Sequence, residues 1–305
     1  MKRAAVILGI LSIAIWAAAQ STGQPAQKNP PAAGQAAPAQ GTTPGATTPP
    51  AKRPPQLKTK PEQDAYNAAA ANTDPAALEK AADDFSAKFP DSEVRVLLYQ
   101  TAMRLYQSAN NAEKTEAMGR KVLSFDGDNP EALVIVAEVI AERTRDSDID
   151  KDQRFGEAIT MAQKALQTVD TDISVPANTP QEKIDTYKSL LRSNAYSVIG
   201  TIEFKKENYA AAQENLQKSI DAFPSEPDKV VILRLALTLD KEQKYPEALK
   251  VANRVVELTQ KEETSVVGTA ARRERDRLQQ LTGGAAPAPA PAPAAAPQPQ
   301  APPKN

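Results

Sequence analysis

One recurrence limits what this chain can fold into. Gly200, Tyr209, Ala212 and Leu216 are followed, each 36 residues later, by Ala236, Tyr245, Ala248 and Ala252. Four offsets matched in one register mean that one local unit is built twice. Each unit places a small residue midway in a helix-length apolar pattern, an aromatic at the break, and an alanine one turn into the next pattern. The spacing has a packing reason. Gly or Ala lets two helix backbones approach, and a Tyr at the turn fills the wedge between them. Units of this length that recur cannot bury their apolar faces alone and must stack.

The clearest copies are 193–226, which closes on Pro224, and 229–258. Upstream, Phe155, Ala158, Ala162 and Ala165 repeat the second-helix half, and a fainter copy surrounds Ala102. On these residues the chain resembles the tetratricopeptide repeat (TPR) family, of the exported bacterial type. The resemblance extends over most of 62–282. It implies an all-α, right-handed solenoid of antiparallel helix pairs, in which Gly200, Tyr209, Ala212, Leu216, Pro224, Ala236, Tyr245 and Ala248 are structural repeat positions.

The flanks differ in composition. Residues 1–19 read as a secretory signal: Lys2 and Arg3, an apolar run to Trp16, then Ala17-Ala18-Ala19 as a cleavage pattern. This predicts export to the periplasm or beyond. The alternative is an inner-membrane anchor, but the run is shorter than the roughly 20 apolar residues of a span. Residues 20–58 and 283–305 are rich in Pro and Ala, with Gly and Thr added in the first, and almost without large apolar side chains. Such segments cannot bury enough surface to offset ordering entropy, so disordered arms are expected. Lys52, Arg53, Lys58 and Lys60 give the first arm a basic end, expected to stay solvated, with contact to cell-wall polymer or a membrane surface as the alternative.

Between the arms, 59–282 reads as helices throughout. Thr59-Lys60-Pro61-Glu62 has capping-box spacing, as does Thr179-Pro180-Gln181-Glu182, which opens a long helix to Lys205. Asp74-Pro75 and Asn129-Pro130 are further starts, Asn110-Asn111 precedes another, and Asp91 or Ser92 is expected to cap the third helix. Residues 143–152 form an insertion. The last helix, 264–281, carries Arg272, Arg273, Arg275 and Arg277, a polar end that suits a terminal repeat facing water.

The chemistry is narrowed by absences. The chain has no Cys and no His, and its net charge is −1. This removes the commonest general base, thiolate nucleophiles and most zinc sites, and argues against nucleic acid as a partner. No phosphate loop or nucleophile motif occurs. A non-enzymatic chain without cofactors is expected. Asp146, Asp148, Asp150, Asp152 and Glu157 do fall at positions 1, 3, 5, 7 and 12 of a calcium-loop frame. Lys151 stands where that frame needs glycine and opposes a cation, so a solvated acidic loop, with Asp150 or Asp152 as a helix cap, is the preferred reading.

The resemblance implies a protein partner, bound in a groove lined by the first helix of each pair. Its positions here would be Asn194, Ser197, Thr201, Phe204 and Lys205, then Asp240 and Lys241, and upstream Tyr99, Met103, Tyr106 and Glu138. Ser197 and Thr201 stand where a Lys/Asn clamp for a terminal carboxylate would be, so an amphipathic helix or extended segment suits the groove better. Val134, Leu233 and Leu237 would line it too; for these and Tyr99 the alternative is plain core. The function expected is a protein-interaction scaffold of the cell envelope, with a structural envelope-assembly part as the alternative.

Overall fold

The computed structural model describes residues 52–173, 175, 178–262 and 264–283. The expected signal, most of the first arm and all of the tail beyond Gly283 lie outside the described residues. Eleven helices and no strand occur among them. In chain order they are α1 (Lys60–Ala70), α2 (Pro75–Lys88), α3 (Arg95–Ser108), α4 (Ala112–Phe125), α5 (Pro130–Arg143), α6 (Lys151–Thr168), α7 (Gln181–Lys205), α8 (Tyr209–Ala222), α9 (Lys229–Lys241), α10 (Tyr245–Thr259) and α11 (Val266–Leu281). The chain forms two compact units, one to Val231 and one from Ile232.

Local chemistry sets several helix starts. Thr59, Asp74, Asn111 and Asn129 each accept a bond from the backbone N–H three residues on, at 2.8–3.2 Å. Thr59 completes its capping box, since Glu62 accepts the Thr59 N–H at 3.2 Å. Two expected caps are not used. Ser92 is drawn to Glu62, to whose Oε1 its hydroxyl donates at 2.5 Å, and α3 starts behind Val94 with no side-chain cap. At α7 the N-cap is Pro180 itself, extended at ψ 139, so the helix begins one residue too late for Thr179 to cap it.

A single turn type joins three helix pairs. Asn110, Glu207 and Gln243 are left-handed, with φ of 56, 61 and 60°. At each, the next N–H reaches back five residues: Asn111 to Tyr106, Asn208 to Glu203 and Lys244 to Leu239, all at 2.9 Å. This is the Schellman closure, which satisfies helix-end carbonyls and reverses the chain within a few residues. The joined helices α3–α4, α7–α8 and α9–α10 are therefore antiparallel hairpins.

Glycines mark where helices come closest. A Cβ on Gly200 would lie 2.8 Å from Leu216 Cγ and 3.0 Å from its backbone nitrogen. Gly119 on α4 meets Val136 of α5 in the same way, and Gly268 on α11 meets Thr259 of α10 at 2.7 Å.

In the first unit each helix packs on the next in sequence, and α5 also packs on α7. Ala132 and Ile135 of α5 belong to one apolar cluster with α1–α4. Leu133, Val134, Val136, Ala137, Ile140 and Ala141 belong to another, with Phe155, Ala158, Ala162 and Ala165 of α6 and Ala195, Val198 and Ile202 of α7. From Pro130 to Ala141 only Glu138 is not buried, so α5 is a wall between two cores. A third cluster joins Val169 and Ile173, between α6 and α7, to Tyr187, Leu190 and Leu191 in the first half of α7 and to Phe223. The second helices are cross-linked by charge: Glu79 to Lys114, Asp83 to Lys121 and Arg120 to Glu157.

In the second unit α10 packs on α11. The last helix is polar but has a buried stripe of Gly268, Ala271, Glu274 and Leu278.

Candidate partner-binding surface

The expected groove positions divide three ways. Tyr99, Met103 and Tyr106 of α3 are core: they are 3%, 0% and 5% exposed. Tyr99 donates to Asp83 at 2.8 Å and Tyr106 to Glu79 at 2.6 Å. Burial, reinforced by those carboxylates, pushes both phenols up to about 12. These three residues present no surface to a partner, which corrects their assignment to a groove. Val134 and Leu233 are core as well.

A second set is exposed in part but committed to the fold. The Lys205 ammonium donates to the carbonyls of Ala141, at 2.6 Å, and Thr144, at 3.1 Å. These are the orphan acceptors at the end of α5, where a cation also meets the negative end of the helix dipole. In the second unit Asp240 receives Arg277 at 2.5 Å. Thr201 is buried.

A third set is half-exposed. Asn194, Ser197 and Phe204 lie along α7, with Glu138 on the packed helix α5. The Phe204 ring stands edge-on to Tyr209, the turn aromatic of the repeat, at 5.8 Å. Lys241 is exposed on α9.

The acidic loop does not gather into a metal site. Asp148 accepts the Arg145 N–H at 2.9 Å, Lys151 approaches Asp146 at 3.8 Å, and Glu157 is turned to Arg120 at 2.7 Å. Asp150 takes the N-cap place of α6 without a side-chain bond. Among the described residues no three acidic side chains converge to hold a metal, and no helix is long and apolar enough to cross a membrane.

Two features had no clear signal in the sequence. The first is a buried polar knot. Arg104 of α3 grips Glu131 of α5 through two bonds of 2.6 and 2.5 Å, and Gln100 donates to the same carboxylate. Burial works against the guanidinium, but Glu131 outweighs it and holds the charge. Tyr187 of α7 lies beside them, and its burial raises the phenol well above its usual range. In sequence, Glu131 is an ordinary first-turn acid and Arg104 an ordinary helix cation; only folding pairs them.

The second is a cleft of about 340 Å³, lined by Lys52, Arg53, Arg95, Val96, Phe125 and Asp126 among others. Arg95 lies 4.6 Å from the Phe125 ring centre, and that ring stacks on Tyr99 at 5.6 Å. The basic end of the first arm is thus docked on the helical body, where solvated charge was expected. Three distant segments build this cleft, so no local pattern announces it.

Comparison with known proteins gives structural likeness only. No family model matches the chain, and no curated protein matches its sequence. Among solved structures, a crystal structure of MamA protein is similar over 67% of this chain and 95% of its own, at 17% identity and a TM-score of 0.45. The assembly chaperone of RpL4, Acl4 (residues 1–338), is similar over 73% of this chain and 99% of its own, at 14% identity and a TM-score of 0.38.

Proposed function

We propose that the chain is a non-enzymatic protein-interaction scaffold of the cell envelope, exported by its first 19 residues, which docks a partner segment along α7. The observation that carries this is the half-exposed row of Asn194, Ser197 and Phe204, with Glu138 beside it, on a hairpin whose other helix face is core. Mixed polar and aromatic side chains on a rigid helix suit an amphipathic helix or extended segment. The scaffold supplies shape and performs no chemistry of its own. Repeat arrays serve this role because each hairpin contacts only its neighbours and leaves a continuous surface.

The test is crosslinking capture from envelope extracts by the intact chain and by an Asn194→Arg/Ser197→Arg variant. Loss of a captured protein with unchanged helix content by circular dichroism supports the row as the docking face. Equal capture by both chains rejects it. Export has a separate readout. Cleavage after Ala19 removes Trp16, the one tryptophan, so native protein then shows no indole emission.

The alternative, an arm that holds wall polymer or lipid through its basic end, has less support. Lys52, Arg53 and Lys60 pair with Asp126, Glu93 and Asp64, and Lys58 donates to the Asp91 carbonyl.

A further inference from the structure

The segment from Lys52 to Lys58 crosses the first unit as an extended strap. Several of its donors are assigned. Pro54 and Pro55 have no N–H. The Lys52 N–H donates to the Thr171 carbonyl at 2.9 Å, that of Gln56 to Glu93 at 3.1 Å and that of Lys58 to Glu62 at 2.7 Å. The Lys52 ammonium sits between Asp126 and Asp172, and Arg53 reaches Glu93 at 2.8 Å. One short segment therefore ties Glu93, just before α3, and Asp126, just after α4, to Thr171 and Asp172 in the α6–α7 connection.

The two ends of the strap are held differently. At the α1 end Leu57 packs against the first apolar cluster. There Glu62, itself only 3% exposed, binds the Lys58 and Thr59 N–H groups as part of the α1 cap. Ahead of Leu57 the contacts are polar, Lys52, Arg53 and Gln56 are exposed, and Glu93 carries two of the contacts. Exposed ion pairs are individually weak and are screened by salt. Beneath this part lies the cleft, with Val96 and the Phe125 ring under Arg95 in its wall.

We propose that Lys52–Gln56 is a salt-released strap hinged at Leu57–Thr59: docked, it forms one wall of the cleft beside α3 and the end of α4, and lifted, it opens that wall beside buried Val96. The inference stands independently of which face binds a partner.

Residue-resolved amide hydrogen exchange on the full chain tests it. The conditions are pH 7 at low salt and at about 0.5 M NaCl, where the screening length is only a few ångströms. Glu93→Ala and Lys52→Ala variants are measured at low salt. At low salt the Lys52 and Gln56 amides exchange at least about tenfold more slowly than in a free peptide, a sign of a closed local structure. High salt removes most of that protection for both amides, and so does each variant for the amides it leaves bonded. The Lys58 amide and those of α3–α5 keep theirs. Three results overturn the proposal. One is free-peptide exchange of Lys52 and Gln56 at low salt. Another is protection unmoved by salt and by both variants. The last is joint loss of protection at Lys58 and in α1, which would make the strap part of the α1 cap.

Discussion

Helices α5 and α7 hold the same place in successive hairpins, yet one is enclosed and the other is half open. Along α5 every residue from Pro130 to Ala141 except Glu138 is buried. Along the second half of α7 buried Ala195, Val198 and Ile202 alternate with half-exposed Asn194, Ser197 and Phe204. The difference arises in the chain beyond each hairpin. After α6 the chain makes an excursion through Val169 and Ile173, and α7 starts early, so its first half brings Tyr187 against the Arg104–Glu131 pair. A first helix is a groove wall only while no later segment covers it. The repeat motif places the helix, and the connection after it decides whether its outer face meets solvent.

The enclosed region depends most on its buried charge. Glu131→Ala leaves Arg104 without its carboxylate in a nearly dry site and is expected to cost about 3–5 kcal/mol by urea unfolding. An effect below about 1 kcal/mol would mean that water reaches Arg104 and that α5 is not an enclosed wall.

The open hairpin depends on close approach. Gly200→Ala drives a Cβ against Leu216, including its backbone nitrogen, which cannot move aside. We expect a loss of about 1–3 kcal/mol. The Ala236 and Ala252 pair at the matching positions of the next unit suggests the remedy. Gly200→Ala with Leu216→Ala is expected to be less destabilised than the sum of the single changes by about 1 kcal/mol, since the second removes the obstruction to the first. Strict additivity would disprove the contact as the cause.

Acid separates the two regions by another route. The Glu79 carboxyl is desolvated, yet the Tyr106 hydroxyl and Lys114 hold it below its ordinary value of 4.5. Asp83, likewise opposed by burial, is held below 3.8 by Lys121 and Tyr99. A depressed folded pKa contributes stability that is complete above the unfolded value and is lost as pH falls through the folded one. Below about pH 4.5, amide protection in α2–α4 should therefore decline before that of the second half of α7. Glu79→Gln should flatten that decline.

Smaller effects fall at the turns and on the open face. Gln243→Gly relieves a left-handed non-glycine residue and should stabilise the α9–α10 hairpin by about 0.5–1 kcal/mol in thermal unfolding. Ser197→Ala should change stability by less than about 0.5 kcal/mol while altering partner capture. A large loss of stability there would place Ser197 among the packing residues.

The helical region was readable in the sequence because its causes are local. Thr59, Asp74, Asn111 and Asn129 cap the helices that they precede, and the offset of Gly200 from Leu216 reports a contact between adjacent helices of one hairpin. Even the Schellman turns have a local cause, though Glu207 and Gln243 hide it by standing where glycine would announce it. The candidate surface was readable only in part. Tyr99 and Ser197 look alike as first-helix residues at repeat spacing, and no pattern of 3.6 residues tells an inner face from an outer one when both sides can be covered. Tertiary structure made that choice. It buried Tyr99, spent Lys205 on the carbonyls that end α5, and laid Lys52 across a cleft to reach Asp126 and Asp172. The sequence by itself determined where the helices lie and which of them pair, because helix periods, caps and tight turns act within a few residues. Exposure, and with it the surface left for a partner, was decided by segments tens of residues apart meeting in space.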